Sequence, residues 1–428
     1  MLSTLRNAWK VPELRKRILY TIFLVMVLRV GNFIPVPGVD IAALSASMGE
    51  SGTLINFYDL ISGGAFSGFS IFALAVSPYI NASIIMQLLT IAIPRLEQLS
   101  KEGEDGRKKI QNITRYISIP ISIIMAYASY VYIYNQGVVT DSSFLGIMLI
   151  LVPLIAGSTF LMWLGDQITV KGIGNGLSLI IFVNIISRFP SLVNQIIKSQ
   201  ETGAVTGVAV IMLVVASLAI LLSIIYMTLA ERRIQVQYAG KAVGNKTYKG
   251  QTTHIPISIV GSAVIAIIFA MSVLQFVPVI TQLFFSNTSF YAWINSNDPW
   301  NIFSTNTWSH VVVYAILVIF FTWFYSQITF KPEEMAENMH KSAGFIPGIR
   351  PGKQTALYLE KILNKVSIIG GIYASIIALF PIIISAHTPF KGIQFGGTMF
   401  LIMVSVSLET VRQIESQLVM RHYQGFLK

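Results

Sequence analysis

Apolar stretches of about 20 residues alternate with polar segments along most of the chain. That is the length an α-helix needs to cross a hydrocarbon core about 30 Å thick. Lipid offers the backbone no hydrogen-bond partner, so each stretch is predicted as a helix. The sequence therefore predicts an all-α membrane protein with ten transmembrane helices, at Ile18–Pro35, Phe69–Ile93, Ile113–Tyr134, Leu145–Leu164, Gly176–Ile197, Val205–Leu229, Ile255–Phe285, Val311–Phe330, Val366–Ala386 and Gly392–Val411.

Composition supports the same class. Of 428 residues, 54% are hydrophobic and only 11% are charged, whereas a soluble domain carries about 25% charged residues. This argues against a soluble enzyme. Cysteine is absent, which excludes disulfides, thiol catalysis and cysteine-ligated metal sites. The five histidines are scattered, so we expect no metal site and no cofactor.

The positive charges follow the predicted topology. The net charge is +11, and the basic residues concentrate in the N-terminus and in alternate connecting segments, at Pro94–Asn112, Glu231–His254 and Lys331–Lys365. Cytoplasmic segments carry the excess of lysine and arginine in membrane proteins. Ten spans with both termini in the cytosol fit this pattern. No removable signal peptide is predicted at the N-terminus.

Two of the basic segments, residues 231–254 and 331–365, are longer than most helix–helix connections. Both are predicted as long cytosolic loops. They are either ordinary solvated loops or a docking surface for an anionic or acidic partner, and their length favours docking. Anionic lipid is a further candidate for the basic excess.

One segment on the predicted outer side is too short to span. Residues 56–68, NFYDLISGGAFSG, are rich in glycine and lack lysine and arginine. The segment is either an outer loop or a re-entrant piece, which membrane depth allows only inside protein or a water-filled cavity.

Catalytic and transport chemistry is sparse in the predicted spans. No nucleotide-binding loop is present, and the acidic Asp166 and Glu409 fall near span ends. An ion-coupled secondary transporter would need ionisable groups near the midplane, and a membrane-embedded enzyme would need a catalytic pair. Neither is found, so we expect no enzymatic activity. Gln87 and Thr90 are mild polar exceptions that fit helix–helix hydrogen bonds.

Aliphatic pairs four residues apart, Val76 with Ile80 and Ile181 with Ile185, place both side chains on one helix face. Such pairs are ordinary packing, or part of a hydrophobic constriction if several helices contribute.

Several residue strings carry a family resemblance, in order from end to end. They are SGGA at 62–65, PYINASIIMQLLT at 78–90, KEGEDGR at 101–107, GIGNG at 172–176, ERRI at 231–234, GFIPGIRPGK at 344–353, FGGT at 395–398 and MRHYQGFLK at 420–428. With these strings the chain resembles the SecY family, the channel subunits of the bacterial protein translocase.

The resemblance implies a fold and a set of site residues. Two pseudo-symmetric inverted halves, residues 1–200 with helices 1–5 and residues 201–428 with helices 6–10, would surround a central pore. The implied pore ring is Val76, Ile80, Ile181, Ile185, Ile268 and Ile402. The implied plug is Asn56, Phe57, Tyr58, Asp59, Leu60, Ile61, Ser62, Gly63, Gly64, Ala65 and Phe66, within the re-entrant segment 56–68. The implied lateral gate includes Gln87, Thr90 and Val260, and the implied docking residues are Arg232, Arg233, Lys246, Arg350 and Lys353.

The resemblance also implies function and partners. The channel would pass unfolded secretory polypeptides across the bacterial cytoplasmic membrane and release hydrophobic segments sideways into lipid. It would select signal sequences, and a SecA ATPase or a ribosome would drive it. SecE-like and SecG-like subunits and anionic lipid complete the expected partners.

The chain departs from the family pattern at the implied gate. Val260 stands where members usually carry asparagine, and Ala266 where they usually carry proline. Losing one gate amide is expected to shift the balance between closed and open states. The resemblance leaves open whether this copy serves general export or a specialised route.

Overall fold

The computed structural model describes the chain except for residues 1–5, 7, 49–58, 60–61, 204, 239–240, 244–245, 249–251, 285–287, 295, 297, 305–306, 389–395 and 426–428. Its helices are α1 (Pro12–Gly31), α2 (Ile41–Met48), α3 (Ser77–Ala92), α4 (Pro94–Lys101), α5 (Glu104–Asn135), α6 (Phe144–Lys171), α7 (Gly176–Glu201), α8 (Gly207–Leu229), α9 (Ala263–Phe284), α10 (Ser289–Ile294), α11 (Trp308–Phe330), α12 (Pro332–Lys341), α13 (Lys353–His387) and α14 (Gly397–Gly425).

Six helical stretches in the described part of the chain are long and apolar enough to cross a membrane: α5, α6, α7, α8, α13 and the run from α11 into α12. A seventh is reached if α3 and α4, which meet at a bend of 100°, count as one span. α9 contains a shorter apolar stretch, Ala263–Pro278. The fold is thus mostly helical and polytopic. The length and composition of the described helices support six or seven spans, and the prediction of ten spans is not tested by them.

The all-α prediction is wrong for one region. Residues 231–258 contain four strands, β1 (Glu231–Tyr238), β2 (Lys241–Val243), β3 (Lys246–Tyr248) and β4 (Thr252–Ser258), and β1 pairs with β4 in antiparallel register. The cause is alternation: Ile234 and Val236, two residues apart, are buried, and Gln235 between them is exposed. Alternate side chains of a strand lie on the same face, so Ile234 and Val236 are buried together while Gln235 faces the other side.

The described residues of the two segments predicted as loops therefore form helices and strands, and β1 joins the two segments into one unit. Residues 331–365 hold α12, the short strand β5 (Gly344–Phe345) and the first third of α13, which begins at Lys353 rather than at Val366. β5 pairs with the end of β1. Ile234 and Val236 share a hydrophobic core with Met339 of α12 and Leu359 of α13. We call residues 231–258 and 331–363 the basic-end unit.

Two predicted spans begin later than expected. The second, predicted from Phe69, starts as a helix only at Ser77. Before it the backbone runs through turns, with left-handed φ values of 37° at Phe69 and 49° at Ala75, which a helix does not allow. The seventh, predicted from Ile255, starts at Ala263, because Ile255 belongs to β4.

α14 joins the two principal cores of the bundle. One core unites α9, α11 and α13 with Leu401 and Val404 of α14. The other unites α1, α6 and α7 with Met399 and Ile402 of α14. α8, by contrast, exposes a broad apolar face that includes Ile211, at 65%. Such a face is stable only against lipid or another apolar partner.

The loop before α6 contains a local cap. Ser143 donates its backbone N–H to Oδ1 of Asp141 at 2.9 Å and its hydroxyl to Oδ2 at 2.8 Å. These bonds lower the pKa of the Asp141 carboxyl, the backbone bond most. The Ser143 hydroxyl oxygen also accepts the N–H of Gly146 at 3.2 Å and caps the helix.

Candidate functional site: a plugged apolar constriction

The structure gathers most of the implied ring in one place. Val76 at the start of α3, Ile181 and Ile185 on α7, and Ile402 on α14 are buried in one hydrophobic cluster. Ile80 packs against the same cluster. Three elements far apart in sequence thus converge on one aliphatic core, which we call the central cluster.

Ile268 is placed differently. It is half-buried on α9 and is not among the residues that form the central cluster. Val264, one helical turn earlier on α9, packs against that cluster instead. Five of the six residues of the implied pore ring therefore belong to the central cluster or pack against it.

The described part of the implied plug lies directly on the central cluster. Ala65 is completely buried as a member of it, and Phe66 is buried in the neighbouring core beneath α5 and α6. Gly63 and Gly64 adopt left-handed φ values of 69° and 90°, which glycine reaches without strain. A Cβ at Gly63 would stand 2.9 Å from Cα of Asn184, so the plug touches the α7 backbone.

Polar contacts fix the plug to its surroundings. Asp59, only 6% exposed, forms an ion pair with Arg188 of α7. Its Oδ1 accepts the N–H of Ser67 at 2.7 Å. The Asn32 amide, just beyond α1, donates to the carbonyl of Ser62 at 3.4 Å and to Oδ1 of Asn184 at 3.3 Å. The plug is thus tied to α1 and α7 at once.

Part of the implied plug lies outside the described residues: Asn56, Phe57, Tyr58, Leu60 and Ile61. Asp59 and Ser62–Phe66 are described.

The site residues implied by the sequence motifs do not include Arg188, Asn184 or Asn32. A signal for Arg188 was present, because it and Arg29 fall outside the basic segments that set the predicted topology. Arg29 donates to the hydroxyl of Ser187 at 2.8 Å.

The implied lateral gate faces a large cavity. Gln87 and Thr90 of α3 line a cavity of about 1280 Å³, together with residues of α4, α5, α11, α12 and α13. Beside this cavity, α9 packs against both α3 and α5. The seam between α9 and these two helices is thus closed by direct contact.

One gate atom lacks a partner. The carbonyl oxygen Oε1 of Gln87 is buried, and no described group donates a hydrogen bond to it. Gln87 Nε2 lies 3.4 Å from the Ser83 hydroxyl. Val260 and Ile84 share the core around α9, and Gln87 follows Ile84 by three residues on the same helix, which places both on nearly the same face. A valine at 260 offers this region no side-chain donor.

The implied docking residues lie on the basic-end unit. Arg232 and Arg233 of β1, Arg350 after β5 and Lys353 at the start of α13 are exposed. Lys246 is in β3, and its side chain lies outside the described residues. Glu231 beside them pairs with Arg412 of α14 at 3.2 Å. The four described side chains, Arg232, Arg233, Arg350 and Lys353, therefore place positive charge on the surface of this unit.

No group of three histidine, aspartate or glutamate side chains that could hold a metal ion occurs in the described part of the chain.

Fold and site together define a class: a polytopic helical membrane protein with a buried aliphatic cluster at the centre of its bundle. Comparison with known proteins narrows it further. The model of the SecY family matches residues 70–411. The chain is 40% identical over the full length of both chains to the protein translocase subunit SecY of Streptomyces scabiei. It is 37% identical to that of Thermotoga maritima, covering all of this chain and 98% of the relative. The chain belongs to the SecY family.

Solved structures share the fold at lower identity. A protein-conducting channel superposes with a TM-score of 0.67 at 17% identity, covering 95% of this chain and 93% of the other. Sec61 in a canine ribosome–channel complex superposes with a TM-score of 0.63, also at 17% identity, over 95% and 93% of the two chains. At this identity the likeness shows the SecY/Sec61 fold and no more.

Proposed function

We propose that this protein is the protein-conducting channel of a translocase, passing unfolded polypeptides across the bacterial cytoplasmic membrane. The central cluster with Ala65 of the plug buried in it carries the proposal. Aliphatic side chains exclude water and ions from a narrow passage, and they bind no particular side chain strongly. They suit a seal that must yield to polypeptides of any sequence.

The proposed topology has ten spans in two inverted halves. The first half is α1, α3, α5, α6 and α7, and the second is α8, α9, α11, α13 and α14. The lengths and apolar character of six or seven helical stretches support it, and so does the match of each remaining predicted span to a described helix. The basic-end unit would face the cytosol together with both termini.

The seam where α9 meets α3 and α5 is the proposed lateral gate. Gln87 and Thr90 would face an arriving signal sequence in the adjoining cavity. A segment apolar enough to prefer lipid would leave sideways there, so selection is a partition between water and lipid.

The proposed docking surface is the basic-end unit, with Arg232, Arg233, Lys246, Arg350 and Lys353. Its occupant would be a SecA-type motor or a ribosome, which supplies the energy. The ribosome complexes among the fold relatives support this proposal. SecE-like and SecG-like subunits would cover apolar surface such as that of α8, and anionic lipid would neutralise remaining basic residues.

The decisive experiment measures ion conductance in planar bilayers after residues 56–68 are deleted. Without the plug, the central cluster alone must close the passage, so the steady leak should rise well above that of the intact chain. A secondary transporter or a membrane enzyme gives no reason for such a leak.

A matched pair of tryptophan substitutions controls for general damage. In the deletion variant, Ile402→Trp should reduce the leak because it fills the central cluster. Val208→Trp, on the exposed face of α8, should leave it unchanged. Equal effects of the two would reject the proposed passage.

A further inference from the structure

Building on the proposed channel function, we propose that the Asp59–Arg188 ion pair is a latch that holds the plug closed and sets how readily it leaves. The pair joins the plug to α7, the helix that supplies Ile181 and Ile185 to the central cluster. No other ion pair connects the described plug residues to the bundle.

Burial makes this pair costly to break. The Asp59 side chain is 6% exposed and the Arg188 side chain is 29% exposed. A carboxylate removed from water needs a partner, and loss of that partner leaves an uncompensated charge. Asp59 is therefore held in place while Arg188 faces it, and it is driven toward water when the arginine charge is gone.

Local geometry reinforces the link at two points. The Arg188 side chain lies over Gly64, where an added Cβ would stand 3.4 Å from Nη1. The Asp59 carbonyl accepts the N–H of Gly64 at 2.9 Å and the hydroxyl of Ser62 at 3.1 Å. The Asp59 carbonyl thus links Asp59 to Ser62 and Gly64, which lie just before Ala65 of the central cluster. A displaced Asp59 would therefore pull on these two residues.

The unequal burial of the two partners predicts an unequal response. Arg188→Gln leaves a deeply buried carboxylate without a counter-charge. Asp59→Asn leaves a guanidinium that water already reaches, and the asparagine oxygen can still accept the N–H of Ser67. We therefore expect Arg188→Gln to free the plug more than Asp59→Asn does. Combining both changes removes both charges, and the plug should be held better than with Arg188→Gln alone.

Single-cysteine labelling tests the latch directly, because the chain contains no cysteine. Ala65→Cys in the full-length protein, reconstituted in phospholipid vesicles, would be labelled with a membrane-impermeant maleimide. The buried thiol should react slowly. Arg188→Gln should raise the labelling rate about tenfold or more, because the buried Asp59 carboxylate then lacks its counter-charge. Asp59→Asn should raise the rate less, and the double variant should fall below Arg188→Gln.

Arg29→Gln is the matched control, because Arg29 lies nearby but bonds Ser187 rather than the plug. It should label at the rate of the Ala65→Cys parent. If Arg188→Gln is labelled at the rate of the Ala65→Cys parent, the latch is rejected. It is also rejected if the double variant is labelled as fast as Arg188→Gln, because that result would indicate general damage to α7. Thermal unfolding of each variant identifies misfolded samples, and for these Ser67→Cys replaces Ala65→Cys as the probe.

Conductance of the same variants separates this inference from the proposed function. Faster labelling of the latch variants, with no ion leak in those variants or in the 56–68 deletion, would keep the latch and reject the channel. A leak in the deletion with unchanged labelling in Arg188→Gln would keep the channel and reject the latch.

Discussion

At the scale of single residues, close approach and unpaired polar atoms mark the positions that matter most. Gly157 on α6 lies against the turn before α3, and a Cβ there would overlap the carbonyl oxygen of Ile71. Gln87 buries a carbonyl oxygen that meets no described donor. The first position tolerates no added atom, and the second lacks one hydrogen bond.

Gly157→Ala should destabilise the protein. The methyl group must displace backbone rather than a flexible side chain, and such overpacking costs about 1–3 kcal/mol. Thermal unfolding in detergent measures the effect. Gly207→Ala is the control, because its nearest neighbour would be Gln200 Nε2 at an ordinary 3.6 Å. Equal stability of the two variants would refute close packing at Gly157.

Val260→Asn should favour the closed gate. An asparagine amide near α3 can donate to the unpaired oxygen of Gln87, and such bonds within membranes are worth about 1 kcal/mol, roughly a fivefold change in the closed-to-open ratio. Export of a weak signal sequence should fall relative to a strong one. Val260→Ala, which adds no donor, should not reproduce this change. Removing the acceptor with Gln87→Leu should abolish the effect of Val260→Asn. If Val260→Asn leaves the ratio of weak to strong signal-sequence export unaltered, the proposed hydrogen bond is rejected.

At the scale of elements, the caps and the basic-end unit show how local sequence fixes larger parts. The Asp141–Ser143 turn positions the start of α6. The alternation of Ile234 and Val236 turns a basic segment into a strand that docks on α12 and α13.

Asp141 should make stability depend on pH. Because hydrogen bonds lower its pKa in the folded state, the charged carboxylate stabilises that state above the unfolded pKa of about 3.9. This contribution is lost as pH falls through the folded pKa. The difference in melting temperature between wild type and Asp141→Asn should therefore be largest near neutral pH and vanish in strong acid. A difference that stays constant with pH would contradict this assignment.

The arginines of β1 should govern binding to a partner rich in phosphate. Arg232→Ala with Arg233→Ala should weaken binding of purified ribosomes, and the slope of log affinity against log salt should fall by about one for each arginine in contact with RNA phosphate. Cosedimentation at several salt concentrations measures both. Lys198→Ala, exposed at the far end of α7, should bind as wild type does. An unchanged slope would direct attention to a protein partner instead.

The sequence predicted the long helices well because an apolar stretch of about 20 residues has few other stable structures. It missed the β1–β4 strands because glycines and basic residues interrupt their alternation, and the buried face is visible only once α12 and α13 supply the opposite side. The late start of α3 depends on left-handed residues, Phe69 and Ala75, which carry no local signal. Motif matching brought five ring positions together but not Arg188, whose role depends on a plug residue 129 positions away.

At the scale of the whole molecule, contacts across the two proposed halves hold the bundle together. α14 of the second half packs against α7 of the first, and α9 of the second half packs against α3 and α5 of the first. The chain crosses between the halves only through the short connection around Gly203. Packing rather than chain connectivity should therefore keep the halves associated.

Two co-expressed fragments, cut after Gly203, should purify together through a tag on either one. The apolar contacts of α14 with α7 are sufficient for this, because Ile402 is buried among residues of α7. Ile402→Asp in the second fragment should reduce recovery of the first, whereas Val419→Asp, exposed on the same helix, should not. Fragments that never associate would show that the connection itself is needed.

The shared core of the basic-end unit has a mechanical consequence. A push on β1 is transmitted through Ile234 and Val236 to α13, and α13 packs in turn along α11 and α9. α9 forms one side of the seam with α3 and α5. A partner docked on the basic-end unit would therefore act on α9, on one side of the seam, through a continuous series of packed elements. α3 and α5, on the other side of the seam, contribute no described residue to the core of the basic-end unit.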